Sequence, residues 1–210
     1  MKGLYFQLFI WFSFSSSYQV FEQYEYHKPI VILDPGHGGK DSGAIGINGL
    51  KEKEAVFNIA REVIRLNRQL FNDTLEVYLT RYSDTLISLR DRTKLAKALK
   101  ADVFVSIHCN QAVRKEAQGV EIYINPQEKQ SAALAELFAK GLNENLGFKN
   151  RGVKYENFQV LRGTNYCTSV LLELGFLSNL EEANHNAKKT SETAYAFLII
   201  ETILKYHSND

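Results

Sequence analysis

Two rhythms of apolar residues alternate along this chain. "IVIL" (Ile30–Leu33), "VFVSI" (Val103–Ile107) and "SVLLELGF" (Ser169–Phe176) are continuous apolar runs of the kind found in strands covered on both faces. "EVYLT" (Glu76–Thr80), the alternating "VEIYIN" (Val120–Asn125) and "FQVLR" (Phe158–Arg162) predict three more strands. Between them the spacing turns helical. From Glu52 to Leu70, apolar residues fall at Val56, Ile59, Ala60, Val63, Ile64 and Leu70, and Ser88 to Lys100 reads as a basic amphipathic helix. A third helix runs from Glu128 to about Leu146, with Leu134, Leu137, Phe138, Gly141 and Leu142 on one face and Gly147 as its stop. Ser191 to about Tyr206 closes the chain, turning Ala196, Ile199, Ile200, Ile203 and Leu204 inward. The pattern predicts a single α/β domain: a mainly parallel, twisted sheet of about six strands with helices on both faces.

The first residues do not share this pattern. In "MKGLYFQLFIWFSFSSSYQV", Lys2 supplies a positive end, Leu4 to Phe14 is largely apolar, and Ser15–Ser17 is a patch of small residues. That order predicts a secretory signal peptide over 1–17, since the apolar run is too short for a stable membrane span; an N-terminal anchor that stays attached is the other reading. Residues 18–28 read as a polar, aromatic linker, and 29–208 as the folded domain. The expected location is therefore the periplasm or the cell exterior.

Composition narrows the partners. The chain has 210 residues, 45% hydrophobic and 23% charged, enough for one core without disulfide staples. A formal net charge of +1, with no long basic run, gives no electrostatic case for nucleic acid. The two cysteines, Cys109 and Cys167, are expected to be small core residues. His27, His185 and His207 lie in polar or terminal surroundings and are expected at the surface. A monomer is expected.

The first predicted strand opens into "DPGHGGKDSGA" (Asp34–Ala44), a glycine-rich loop. It is no phosphate cradle. Asp34 stands where a Walker loop needs its leading glycine, Asp41 follows Gly39-Lys40 where Ser or Thr belongs, and Asp41 also breaks the dinucleotide pattern. In open α/β sheets, ligands gather at the carboxyl ends of strands. His37 follows one such end, His108 another, and Glu173 lies toward a third, within an otherwise apolar strand. A buried carboxylate without a partner is costly, so Glu173 needs an ion pair (Arg81 and Arg92 are the candidates) or a function. Two imidazoles and a carboxylate at one rim suggest a metal site, and catalytic zinc usually takes three protein ligands. Glu52 and Glu54, at the start of the first helix, are both candidates for the third. Their side chains diverge by roughly 200°, so only one can face the rim, and composition does not choose.

"ILDPGHGGKDSGAIGINGLKEKEAVFNIA", "LTRYSDTLISLRDR", "ADVFVSIHCNQA", "GVEIY" and "LLELGFLSN", in this order from about Ile30 onward, resemble the zinc-dependent N-acetylmuramoyl-L-alanine amidases, in their type-3 catalytic domain. The resemblance implies that His37, Glu52 and His108 hold one zinc ion, selecting Glu52 over Glu54, and that Glu173 is the catalytic acid-base. The implied substrate is peptidoglycan, cut at the amide between the lactyl group of N-acetylmuramic acid and L-alanine. Two other readings of the same residues are a zinc peptidase cutting within the stem peptide and a non-catalytic wall-binding domain. Asp34 and Asp41 are candidates to orient an imidazole or to brace the loop. Cys109, beside His108, should face away from the metal by strand alternation. Some relatives insert a long helical plug after the second histidine. Only Gln111–Gln118 follows that strand here, so an open cleft is expected.

Overall fold

A computed structural model describes residues 28–208 of the chain. The predicted signal peptide, His27 and all of the linker but Lys28 lie outside the described residues. Six strands, β1 (Ile30–Pro35), β2 (Glu76–Leu79), β3 (Val103–Asn110), β4 (Val120–Ile124), β5 (Asn150–Tyr155) and β6 (Thr168–Phe176), form one sheet in the order β2-β1-β3-β6-β4-β5. Every neighbouring pair is parallel except β4 with β6. The loop after β3 passes β6 and returns β4 in the opposite direction, so the starts of β4 and β5 share an edge with the carboxyl ends of β1, β3 and β6.

Six helices complete the described chain: α1 (Glu52–Leu70), α2 (Leu89–Ala98), α3 (Ser131–Glu144), α4 (Gln159–Arg162), α5 (Leu180–Asn186) and α6 (Lys189–Ser208). On one face of the sheet α1, α3 and α6 bury the larger core, in which Val31, Leu33, Val105 and Ile107 meet Val56, Ile59, Phe138 and Ile199. On the other face a smaller core gathers Ile32, Phe104 and Leu171 beneath Ala96, Val160 and Leu161 of α2 and α4. Alternation along β3 divides its residues between the two. Val103, Val105, Ile107 and Cys109 enter the larger core, while Phe104 enters the smaller. Cys109 and Cys167 are both buried, free thiols, one in each core. No helix among the described residues is long and apolar enough to cross a membrane.

Three elements differ from the sequence reading. Phe158–Arg162, expected as a strand, is the cap and body of the short helix α4. Its apolar residues, Val160 and Leu161, serve one turn of helix as well as a strand, and a five-residue run carries too little period to separate them. The fifth strand is instead "NRGVKY" (Asn150–Tyr155), a half-exposed edge strand whose polar content hid it. Helix α5 was also not anticipated, although Asn179 caps it by accepting from the amides of Glu181 and Glu182. His185 is not a free surface residue: its half-buried ring packs 5.1 Å from Phe148 and 5.8 Å from Tyr195. His207, also half-buried, lies 5.5 Å from Tyr206.

Candidate metal centre

The carboxyl edge of the sheet gathers three side chains from distant parts of the sequence. His37, Glu52 and His108 each place one potential ligand atom within 4.8 Å of the other two, a group able to hold a metal ion. Glu52 Oε1 lies 3.1 Å from His37 Nε2 and 2.9 Å from His108 Nδ1. Donors bound tetrahedrally at about 2.1 Å from one zinc would stand about 3.4 Å apart, and both separations from Glu52 Oε1 fall a little short of that spacing.

Local backbone explains how each one arrives. β1 ends at Pro35, and Gly36 brings the chain against β3. A Cβ on Gly36 would stand 2.2 Å from His108 Cε1, so only glycine allows the imidazole beneath the loop. His37 itself adopts φ 59°, a left-handed conformation that a non-glycine residue takes at a cost. The glycines therefore do not absorb the whole turn; the histidine carries part of it. Gly43 clears the other side, because a Cβ there would meet Glu52 Oε2 at 2.5 Å and His37 Cδ2 at 2.6 Å.

Glu52 opens α1 and is 4% exposed, while Glu54 points outward. Three amide and imidazole partners fix the Glu52 carboxylate besides His37: Ala44 N–H donates to Oε2 at 2.8 Å, and Cys109 N–H and His108 Nδ1 approach Oε1 at 3.0 and 2.9 Å. Asp41 Oδ2 sits 2.9 Å from His37 Nδ1 and so leaves Nε2 aimed at the centre. Asp34 does not touch an imidazole. It is the buried partner of Arg92, at 2.6 Å.

Arg92 and Arg81 brace the loop in a way the sequence reading did not foresee. Arg92 donates to the carbonyls of Pro35, His37 and Ile87; Arg81 donates to those of Pro35, Gly36 and Lys53. Neither reaches Glu173, so the ion-pair explanation for that residue fails. Their signal was present in "LTRYSDTLISLRDR", as two arginines flanking a polar turn.

Charge is concentrated here. Burial disfavours a charged His37, but the bonds and charge of Glu52, then Asp41, outweigh it and lift its pKa to about 9. Burial likewise opposes charge on His108, and Glu52 again reverses the sign, raising its pKa. For Glu52, burial works against ionisation, yet the two imidazoles hold it well below the usual carboxylate range.

Glu173, on β6, is the direct neighbour of His108 across the parallel β3–β6 pair. It opens partly onto the cleft, but its Oε2 is buried with no hydrogen-bond partner among the described residues. Burial pushes its pKa up to about 7, moderated by the charge of His108 and reinforced by Glu52 and Glu121. The cleft above has a volume of about 740 Å³. Its floor includes His37, His108 and Glu173, and its walls are Leu86 and Ile87 before α2, Leu89 at its start, and Phe158 with Val160 at α4.

Comparison with known proteins follows the same outline. Residues 31–205 match the family model described as N-acetylmuramoyl-L-alanine amidase. N-acetylmuramoyl-L-alanine amidase LytC of Bacillus subtilis is 40% identical over 73% of this chain, which spans 30% of LytC. The probable cell wall amidase LytH of Staphylococcus saprophyticus is 35% identical over 85% of the chain, which spans 58% of LytH. Among solved structures, the catalytic domain of the amidase CwlV from Bacillus (Paenibacillus) polymyxa superposes with a TM-score of 0.80 at 38% identity, covering 86% of this chain and 98% of that one. With its mixed sheet, its histidine-glutamate cluster and a family match along nearly the whole described length, the chain belongs to the N-acetylmuramoyl-L-alanine amidase family.

Proposed function

We propose that this protein is a zinc-dependent peptidoglycan hydrolase that cleaves the amide between the lactyl group of N-acetylmuramic acid and L-alanine of the stem peptide. The observation that carries the reading is the pairing of two features at one edge. Three convergent ligand atoms, His37 Nε2, Glu52 Oε1 and His108 Nδ1, lie beside a carboxylate oxygen of Glu173 that has no structural partner. The donor set fits zinc: two imidazoles and one carboxylate leave a fourth position for solvent or substrate. A zinc ion held there would supply a Lewis acid that acidifies water and polarises the substrate carbonyl.

The remaining chemistry belongs to the chain. Glu173, with a pKa about 7, sits where a base can accept a proton from water near neutrality. As the C–N bond breaks, the same carboxyl group returns that proton to the leaving amine nitrogen. Asp41 keeps the His37 ring in the orientation that presents Nε2, and Arg92 and Arg81 keep the loop carbonyls, and with them the ring, in place. The short connection between β3 and β4 contributes no helix over the cleft, which supports turnover without an activator. Because peptidoglycan lies outside the cytoplasm, the reading also calls for export, the role assigned above to residues 1–17.

Digestion of purified peptidoglycan followed by mass spectrometry tests this. A newly freed L-alanine amine supports the amidase. A cut between amino acids favours the peptidase reading, and intact muropeptides favour the wall-binding one.

A further inference from the structure

Beyond Glu173 the rim carries a second cluster of charge that the reaction above does not use. Glu121 on β4 stands directly across the antiparallel β4–β6 pair from Glu173, and its side chain is 4% exposed. Glu121 Oε2 accepts from Asn110 Nδ2 at 2.8 Å and from the Tyr123 hydroxyl at 2.7 Å. Oε1 receives two cations from β5, Arg151 Nε at 2.5 Å and Lys154 Nζ at 2.6 Å. Two cations on one oxygen exceed what neutralising Glu121 requires. Glu182, the next carboxylate, is engaged instead by the amides of Gly119 and Phe176. Arg151 makes one further bond, a long one of 3.4 Å from Nη1 to the Gln118 carbonyl. Both cations are about one-third exposed, at 34% and 37%, and keep N–H groups free of any partner among the described residues.

The surroundings of the cleft are therefore unlike on its two sides. Toward α2 the walls are Leu86, Ile87 and Leu89, with the carboxylates of Asp41 and Asp91. Toward β5, past the Phe158 and Tyr123 rings that lie 5.2 Å apart, are two part-exposed cations, Lys154 with its ammonium 5.7 Å from the Tyr123 ring centre and Arg151 with its guanidinium 5.1 Å from that of Phe176. The amide assigned above is also unlike at its two ends, joining an uncharged sugar derivative to a peptide whose second residue is acidic. We propose that Arg151 and Lys154, gathered by Glu121, form a subsite for the carboxylate of that second residue. This inference rests on the amidase reading. It places the peptide over β4 and β5 and the sugar side in the apolar pocket, with Glu173 between them at the leaving nitrogen.

The spacing agrees. Adjacent strands lie about 4.8 Å apart, so cations leaning on Glu121 stand about 5–10 Å from Glu173. An extended peptide advances about 3.4 Å per residue, which puts a second-residue carboxylate about 5–8 Å from the released amine.

The test uses two synthetic muramoyl peptides, identical except that the second residue bears a free carboxylate or its primary amide. Both are given to the zinc-loaded protein. The acid is expected to be cleaved with a kcat/KM about tenfold higher, mainly through KM, and added salt should narrow the ratio. Lys154→Met should bring the ratio close to one, and Lys154→Arg should retain most of it. Equal turnover of both peptides by the unmodified protein overturns the subsite while leaving the amidase reading intact. A ratio unmoved in a folded Lys154→Met protein does the same. Absence of turnover on either peptide removes the amidase reading, and the subsite with it. Should Lys154→Met fail to fold, the unmodified protein's ratio and its salt dependence decide.

Discussion

Asp34 and Glu173 are both acids set in apolar strands at the same edge of one sheet, separated only by β3. Their surroundings are opposite. Asp34 is fully buried, and its oxygens accept from Arg92 Nη1 and the Thr80 hydroxyl, both at 2.6 Å, and from the Ser106 hydroxyl at 2.8 Å. Glu173 Oε2 is buried and accepts from nothing among the described residues. A carboxylate whose acceptors are all filled is an element of construction, because its charge is spent on holding neighbours. One left unfilled has a raised pKa and protons to exchange. Under the proposed function, the difference separates brace from chemistry on a single rim.

That contrast is most exposed to Glu173→Gln. The change keeps the shape but removes proton transfer, so turnover should fall about 10²–10⁴-fold while zinc content is retained. The melting temperature should hold or rise, since no partner loses a bond. Metal analysis, muropeptide assays and thermal denaturation on the same sample check all three, and a large loss of stability would make Glu173 a second Asp34. In the zinc-loaded protein, kcat should show an acid limb at or below pH 7, because the positive charge of a zinc ion held by the three ligands would pull Glu173 down from about 7.

Asp34→Ala reverses the outcome. It leaves the Arg92 guanidinium, 3% exposed, without its counter-charge, a change that typically costs about 3–5 kcal/mol. For a chain of this length that is a fall in Tm of roughly 6–20 °C. Since Arg92 also holds the Pro35 and His37 carbonyls, zinc affinity should fall too. A neutral Asp34→Ala would end the distinction from the other side.

Asp41→Asn addresses the milder, half-exposed member of the same set. Loss of a carboxylate behind a metal-binding histidine commonly weakens affinity about 10–100-fold. Chelator competition should show that drop with little change in the Tm of the metal-free protein, because the Asp41 side chain is 49% exposed. Binding by the unmodified protein should strengthen as pH rises toward 9, where His37 gives up its proton.

These contrasts also show what the sequence could and could not disclose. Apolar runs revealed β1, β3 and β6 because burial on both faces writes itself as uninterrupted Val, Ile and Leu. β5 stayed hidden because an edge strand needs no such run, and Arg151 and Lys154 are placed by Glu121 rather than by a core. His37, His108 and Glu173 were legible as the ends of strands. Glu52 was not separable from Glu54 by composition, since the choice depends on how α1 is rotated against β3, a tertiary fact. The resemblance selected Glu52, and it is Glu52 that lies against the two imidazoles. Arg81 and Arg92 were legible only as candidate partners of a buried acid; Arg92 pairs with Asp34 rather than Glu173, and the loop carbonyls that both arginines hold leave no trace in side-chain pattern.

A third acid, Glu62, extends the comparison to the middle of α1 and should give the smallest effect. Its side chain is 3% exposed, yet its partners come from the solvent side: Arg65 at 2.6 Å, Lys189 at 2.9 Å and the Thr193 hydroxyl at 2.8 Å, the last two from α6. The Arg65 bond, stronger than the opposing effect of burial, and the Lys189 and Thr193 bonds lower its pKa from 4.5 to about 2. A carboxyl group depressed in the folded state binds protons more readily when unfolded. Its contribution is thus complete above about pH 5 and is lost as pH falls from 4.5 through 2. Glu62→Gln should lower Tm by about 2–4 °C at pH 7, as expected where mobile lysine and arginine chains supply the charge. The deficit should shrink steadily below pH 4.5, become small near pH 2, where half of the folded protein's Glu62 is protonated, and vanish below it. Melting curves of the two proteins across that range decide the matter. Parallel curves would mean that Glu62 acts through packing alone, and that filled acceptors, by themselves, do not mark a carboxylate whose charge braces the fold.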